Sequence, residues 1–164
     1  MNNLKARLNY YVKTGKLFKI RRGIYARDKN YDKLEMATRI YTPAYISLET
    51  ITGMNGMTFQ YYETLFVISY LTREIKCDGQ NIQLRRMGRE ILSNTTGLKN
   101  MGSYFMATPE RAFLDAIYIY KNYYFDNLRP LNWKLCYKLL SIYQSKVMKK
   151  RLDSYYKDFK EKYV

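Results

Sequence analysis

Apolar residues at Leu4, Leu8, Tyr11 and Val12 recur at i, i+4, i+7 and i+8, which predicts an amphipathic helix at the start of the chain. Gly15, just after Lys13-Thr14, suits the left-handed residue that ends such a helix. Leu17-Phe18-Lys19-Ile20 and Ile24-Tyr25-Ala26 then read as two short strands around a tight, basic Arg21-Arg22-Gly23 turn. Asp32 with Glu35 fits a capping box opening a helix through about Tyr41, which Pro43 stops from continuing. Another short helix is expected from Ser47, apolar at Leu48 and Ile51 and ending by Gly53 or Gly56. From Thr64 to Lys76 the chain is rich in β-branched and aromatic residues and predicts a strand. Asp78-Gly79 turns it into a partner strand at Asn81-Ile82-Gln83-Leu84. Residues 88–103, with Gly88, Gly97 and Gly102, predict loop plus a short strand, ending in Tyr104-Phe105-Met106.

The C-terminal third reads as helical. Thr108-Pro109-Glu110 supplies a cap hydroxyl, a proline for the first turn and an acid for the positive end of the dipole. Ala112, Phe113, Ala116, Ile117 and Tyr120 form the expected buried stripe of that helix, and Arg111 with Asp115 is spaced for an intrahelical pair. Asn132 opens a helix carrying Leu135, Leu139 and Ile142. A last helix has Met148, Leu152, Tyr155, Phe159 and Tyr163 on one side, with Lys149, Lys150, Lys157, Lys160 and Lys162 largely off it. The expected class is α+β: a winged-helix-like N-terminal element over residues 1–30, then a mixed helix–sheet domain over 31–164 ending in helices.

Composition narrows the chemistry. In 164 residues there are 29 Lys and Arg against 14 Asp and Glu and no histidine, a net charge of +15. Without imidazole, Ser-His triads, Cys-His pairs and histidine-ligated metals are impossible within one chain. No Gly-rich phosphate loop, nucleophile elbow or thiol cluster occurs, so no cofactor and no enzymatic activity are expected. No signal-peptide pattern or membrane-length apolar run is found, so Cys77 and Cys136 are expected to be reduced in a cytoplasmic protein. The 19 tyrosines could stack on single-stranded bases, but no aromatic–Gly–aromatic strand motif accompanies them, and filling a core explains them better.

The charge is concentrated at the ends. Eight bases and no acid fall between Met1 and Arg27, on a helix followed at once by a hairpin. A helix and hairpin in that order form the second half of a winged helix-turn-helix, in which the helix enters the major groove and the hairpin grips adjacent backbone. Lys5, Asn9 and Lys13 are the candidates for base edges, because lysine and asparagine carry the donors that guanine and adenine accept. Lys16, Lys19, Arg21 and Arg22 are the candidates for phosphates or the minor groove.

Leu8-Asn9-Tyr10-Tyr11-Val12-Lys13-Thr14-Gly15-Lys16-Leu17 followed by Arg21-Arg22-Gly23-Ile24-Tyr25 resembles the recognition helix and wing of AbiEi-type antitoxins. Ala44-Tyr45-Ile46-Ser47-Leu48-Glu49-Thr50, Gly56-Met57-Thr58 and Ala107-Thr108-Pro109-Glu110-Arg111-Ala112-Phe113-Leu114-Asp115 are similar to that family in the same order. The resemblance implies an antitoxin and autorepressor of a type IV toxin–antitoxin system used in abortive infection. Its winged helix would bind double-stranded operator repeats. Its C-terminal domain would counteract a nucleotidyltransferase toxin without needing a stable complex, and repeat binding often goes with a homodimer. Family members usually carry one or two helices ahead of the recognition helix, so the element here is expected to be a reduced winged helix.

Two other readings remain at this point. The chain could be a toxin-neutralising interaction module without DNA binding. Alternatively, Glu74-Ile75-Lys76 with Glu63 upstream faintly matches the carboxylate–x–lysine pattern of metal-dependent nucleases. Within the resemblance, the Thr108–Asp115 segment suits structural duty better than a direct contact, and the C-terminal lysines suit a solvated helix face better than a second polyanion contact.

Overall fold

The computed structural model describes residues 2–163. Its first unit is α1 (Asn2–Lys13) and a hairpin of β1 (Phe18–Arg21) and β2 (Ile24–Ala26). Next come α2 (Lys33–Arg39), β3 (Ala44–Ile46), α3 (Glu49–Met54), β4 (Leu65–Ser69), β5 (Arg73–Cys77) and β6 (Gln80–Arg86). The chain continues through α4 (Arg89–Ser93), β7 (Leu98–Asn100), β8 (Phe105–Ala107), α5 (Pro109–Ile119) and α6 (Trp133–Leu139). A 3-10 turn (Leu140–Tyr143) leads into α7 (Lys146–Tyr163). The fold is α+β.

Local chemistry fixes most element starts as expected. Asp32 accepts from the Leu34 and Glu35 N–H groups, Thr108 from Arg111, and Asn132 from Leu135. Three expectations change. The stretch 64–76 is two strands, β4 and β5, broken at Tyr70-Leu71-Thr72, where the Thr72 hydroxyl accepts from the Arg86 N–H at 3.1 Å. Ser47 does not open a helix: it follows β3, and α3 starts at Glu49 after Leu48, whose φ is +56°. Residues 89–93, expected as loop, form α4 with Ile91 and Leu92 buried.

Six strands make one mixed sheet in the order β5-β6-β4-β3-β8-β7. β5 and β6 form the antiparallel hairpin about Asp78-Gly79, yet β6 also pairs parallel with β4. Register and strand alternation put Ile46, Val67, Leu84 and Arg73 on one face, and Tyr45, Ile68 and Arg85 on the other. α5 covers the second face, since the Tyr45 hydroxyl reaches Asp115 and Arg85 lies over the Tyr120 ring. On the first face Arg73 donates to the hydroxyl of Tyr41, just beyond α2. Every residue from Glu110 to Ile117 is buried, so α5 is a core helix and not an amphipathic one. Phe113 sits among Phe125, Trp133 and Tyr155 at ring separations of 5.0, 5.9 and 5.5 Å. Aromatic packing of this kind, tyrosine included, makes up much of the C-terminal core.

Candidate nucleic-acid interface

α1 ends through backbone geometry that its sequence prescribes. The Thr14 and Lys16 N–H groups donate to the Tyr10 and Tyr11 carbonyls, both at 2.9 Å, as the chain turns at Gly15. Lys5, Asn9 and Lys13, spaced i, i+4, i+8, form one stripe along α1, and all three are exposed. In the apolar stripe Leu4 is 67% exposed while Leu8, Tyr11 and Val12 are half-buried, and among the described residues no apolar side chain of α1 packs against the core. The hairpin follows with Phe18 opposite Ala26, Lys19 opposite Tyr25 and Arg21 opposite Ile24, a register shift falling between Lys19 and Arg21. Gly23, at φ +82°, closes the turn in a conformation a side chain would strain. Lys16, Lys19 and Arg22 are exposed.

Three contacts fasten the hairpin to the rest of the protein. Ile20 and Tyr31 pack on the core. The Tyr31 hydroxyl donates to Asp78 in the β5–β6 turn, and burial together with that carboxylate pushes its pKa up to about 12. Arg21 is half-buried, its guanidinium 5.9 Å from the centre of the Tyr41 ring. Arg73 approaches the same ring at 5.7 Å and donates to its hydroxyl at 2.6 Å, and this donation holds the phenol below its ordinary pKa. Arg21 and Arg73 thus share the Tyr41 ring, while Arg22 at the turn is exposed. Sequence spacing gave no sign of Arg73, which lies 52 positions downstream on an edge strand.

Among the described residues, no cation of this unit forms an ion pair with a carboxylate. The salt bridges among the described residues are Glu35–Arg39, Arg111–Asp115, Lys149–Asp153 and Lys157–Glu161. None involves Lys5, Lys13, Lys16, Lys19, Arg21, Arg22 or Arg73. Asp28, the unit's one acid, accepts from the Asn30 N–H at 2.7 Å. On α7, by contrast, two lysines pair with acids one turn on, as on a solvated helix face.

Two of the segments that carry the family resemblance, 44–50 and 107–115, meet in a buried polar cluster. Asp115 accepts from the Arg111 Nε at 3.3 Å, the Tyr45 hydroxyl at 3.0 Å, Ser47 at 2.8 Å and Tyr143 at 2.6 Å. Arg111 spends its remaining donors on the Thr96 and Ile91 carbonyls at 2.8 and 2.9 Å and on the Tyr45 hydroxyl at 3.2 Å. Burial penalises both charges. Asp115 nevertheless holds the guanidinium above its ordinary pKa, while desolvation pushes the carboxyl up against the pull of Arg111 and the three hydroxyls. Gly97 completes the packing, since a Cβ there would stand 3.2 Å from both Arg111 Cβ and Leu139 Cδ1. The Arg111 and Asp115 side chains are 0% exposed. The intrahelical pair expected from the spacing is present, and it lies in the core.

Glu74 accepts from Gln83, its cross-strand neighbour, at 2.6 Å, and Lys76 stands opposite Asn81. Among the described residues no three Asp, Glu, Cys or His side chains gather as metal ligands would. Both cysteines are free and buried, and burial pushes the Cys136 thiol up to about 12. No helix among the described residues is long and apolar enough to cross a membrane. In comparisons with known proteins, no family model, curated protein or solved structure matches the chain.

Proposed function

We propose that this protein is a DNA-binding antitoxin and transcriptional autorepressor of a type IV, abortive-infection operon, acting in the cytoplasm against a nucleotidyltransferase toxin. The observation that carries the reading is the helix–hairpin unit, which presents Lys5, Asn9, Lys13, Lys16, Lys19 and Arg22 to solvent, its lysines and Arg22 forming no ion pair among the described residues. A recognition helix offers α1's exposed stripe to base edges, and the β1–β2 wing places Arg22 at backbone phosphates. Arg21 and Arg73, which flank the Tyr41 ring, add a second pair of donors beside the wing. The motif set resembling AbiEi-type antitoxins supplies the operon context, and repeat binding suits a pair of protomers on the duplex.

The test is a gel-shift titration against the region upstream of the protein's own operon at several salt concentrations. Six phosphate contacts give a slope of log K against log salt of about −5. Binding that is absent, insensitive to salt, or unchanged when Arg21 and Arg22 become alanine assigns the chain instead to toxin neutralisation without DNA contact.

A further inference from the structure

A groove of about 420 Å³ runs beside the first turn of α3, lined by residues from Glu49 to Leu65 and by Gln80. Its walls carry Met54, Phe59, Tyr61 and Tyr62; among the described residues its charged lining side chains are Glu49 and Glu63, with no lysine or arginine. Phe59 is 73% exposed, Tyr61 86% and Met54 60%. Isolated exposed apolar residues are ordinary, but three within eight positions around one groove make a patch.

The patch is held in place. Asp126 accepts from the Phe59 N–H at 2.8 Å, and the Asp126 and Asn127 N–H groups donate to the Met57 carbonyl at 3.0 and 3.2 Å. Met57 itself is fully buried, and the Thr52 and Thr58 hydroxyls bond at 3.2 Å beneath the loop. Tyr62 stands edge-on to Phe66 at 5.5 Å and donates to Gln60 at 3.0 Å. The backbone anchors therefore fix these rings facing water, where packing alone would favour turning them inward.

The groove's exposed charge is opposite in sign to the protein's. On a chain of +15 it offers aromatic faces and one exposed carboxylate, Glu63, while Glu49 is buried and already accepts from the Tyr120 hydroxyl at 3.2 Å. Ring faces beside carboxylates take an ammonium or guanidinium group on an aliphatic stem: the rings cover the stem and attract the cation, and the carboxylate accepts its hydrogen bonds. We propose that this groove is a docking site for a lysine- or arginine-bearing segment of a partner protein. It shares no residue with the helix–hairpin unit, so the assignment stands apart from the DNA-binding reading.

The test is a titration of acetylated hexa-arginine amide into the isotope-labelled full chain, followed by NMR, with hexaglutamate as control. The expected result is saturable shifts confined to residues 49–65 and Gln80, no hexaglutamate-induced shifts at those residues, and at least fivefold weaker binding of the arginine peptide in Glu63→Gln and in the Phe59→Ala/Tyr61→Ala pair. All three substituted side chains are exposed, so the fold survives them. Absent or non-saturable binding, shifts centred elsewhere, or affinity unmoved by either variant overturns the proposal. Sedimentation of the wild type as a dimer that Phe59→Ala/Tyr61→Ala dissociates gives the groove to a second copy and overturns it as well.

Discussion

Asp115 has no exposed surface and accepts four hydrogen bonds, three of them from hydroxyls on β3, the residue after it and the 3-10 turn. Removing one member leaves the others buried without a partner, which costs more than the pair itself contributes. Arg111→Met is therefore expected to lower unfolding free energy by about 3–5 kcal/mol in urea denaturation, against about 1–3 kcal/mol for Tyr143→Phe. The spacing of Arg111 and Asp115 was plain from sequence, but their burial was not. A pair four residues apart looks the same on a wet helix as on one enclosed by α6, α7 and the sheet. Glu49 carries a second consequence of burial. Desolvation raises its carboxyl pKa, so the folded protein keeps this proton to higher pH than the unfolded chain does, despite the Tyr120 hydroxyl and Arg85 nearby. That contribution to stability is present at low pH and is lost as pH rises beyond the ordinary glutamate value of about 4.3. Glu49→Gln should accordingly gain on the wild type in midpoint denaturant as pH is raised from 4 towards 7, and a constant difference would refute the shift.

The hairpin and α5 were readable because their signals are local: Gly23 for a turn that needs positive φ, and Thr108-Pro109-Glu110 for a capped start. What failed was pairing between distant segments. The run from Leu65 to Cys77 is β-prone throughout, and only the insertion of β6 between β4 and β5 divides it. The three-residue strand β3 and the five-residue helix α4 are too short to show a period. The attachment of the hairpin was equally invisible, since Tyr31–Asp78 spans 47 positions. That contact holds the β1–β2 unit to the β5–β6 turn, while among the described residues no apolar side chain of α1 packs on the core. Tyr31→Phe or Asp78→Asn should leave the global denaturation midpoint nearly unchanged yet speed protease cleavage within residues 27–31 several-fold. Equal cleavage rates would mean that Ile20 and Arg21 hold the hairpin unaided.

Net charge of +15 favours any polyanion, so the useful question is whether one part of the surface accounts for DNA affinity. Two basic regions compete. α1 and the wing carry unpaired cations, whereas on α7 Lys149 and Lys157 are bound to Asp153 and Glu161. If the N-terminal unit is the interface, each phosphate contact it loses removes about 0.9 from the magnitude of the salt slope. Arg22→Ala should then weaken binding to every sequence alike and flatten the slope by about 0.9. Asn9→Ala should leave the slope intact and instead erode preference for the operator, at about 1–3 kcal/mol for a lost bidentate base contact. Lys150→Ala with Lys160→Ala, both exposed, should change neither quantity. Measured together in one salt series, these variants separate backbone grip, base reading and general attraction. Equal flattening by the α7 pair and by Arg22→Ala would shift the interface from the wing to the basic surface as a whole.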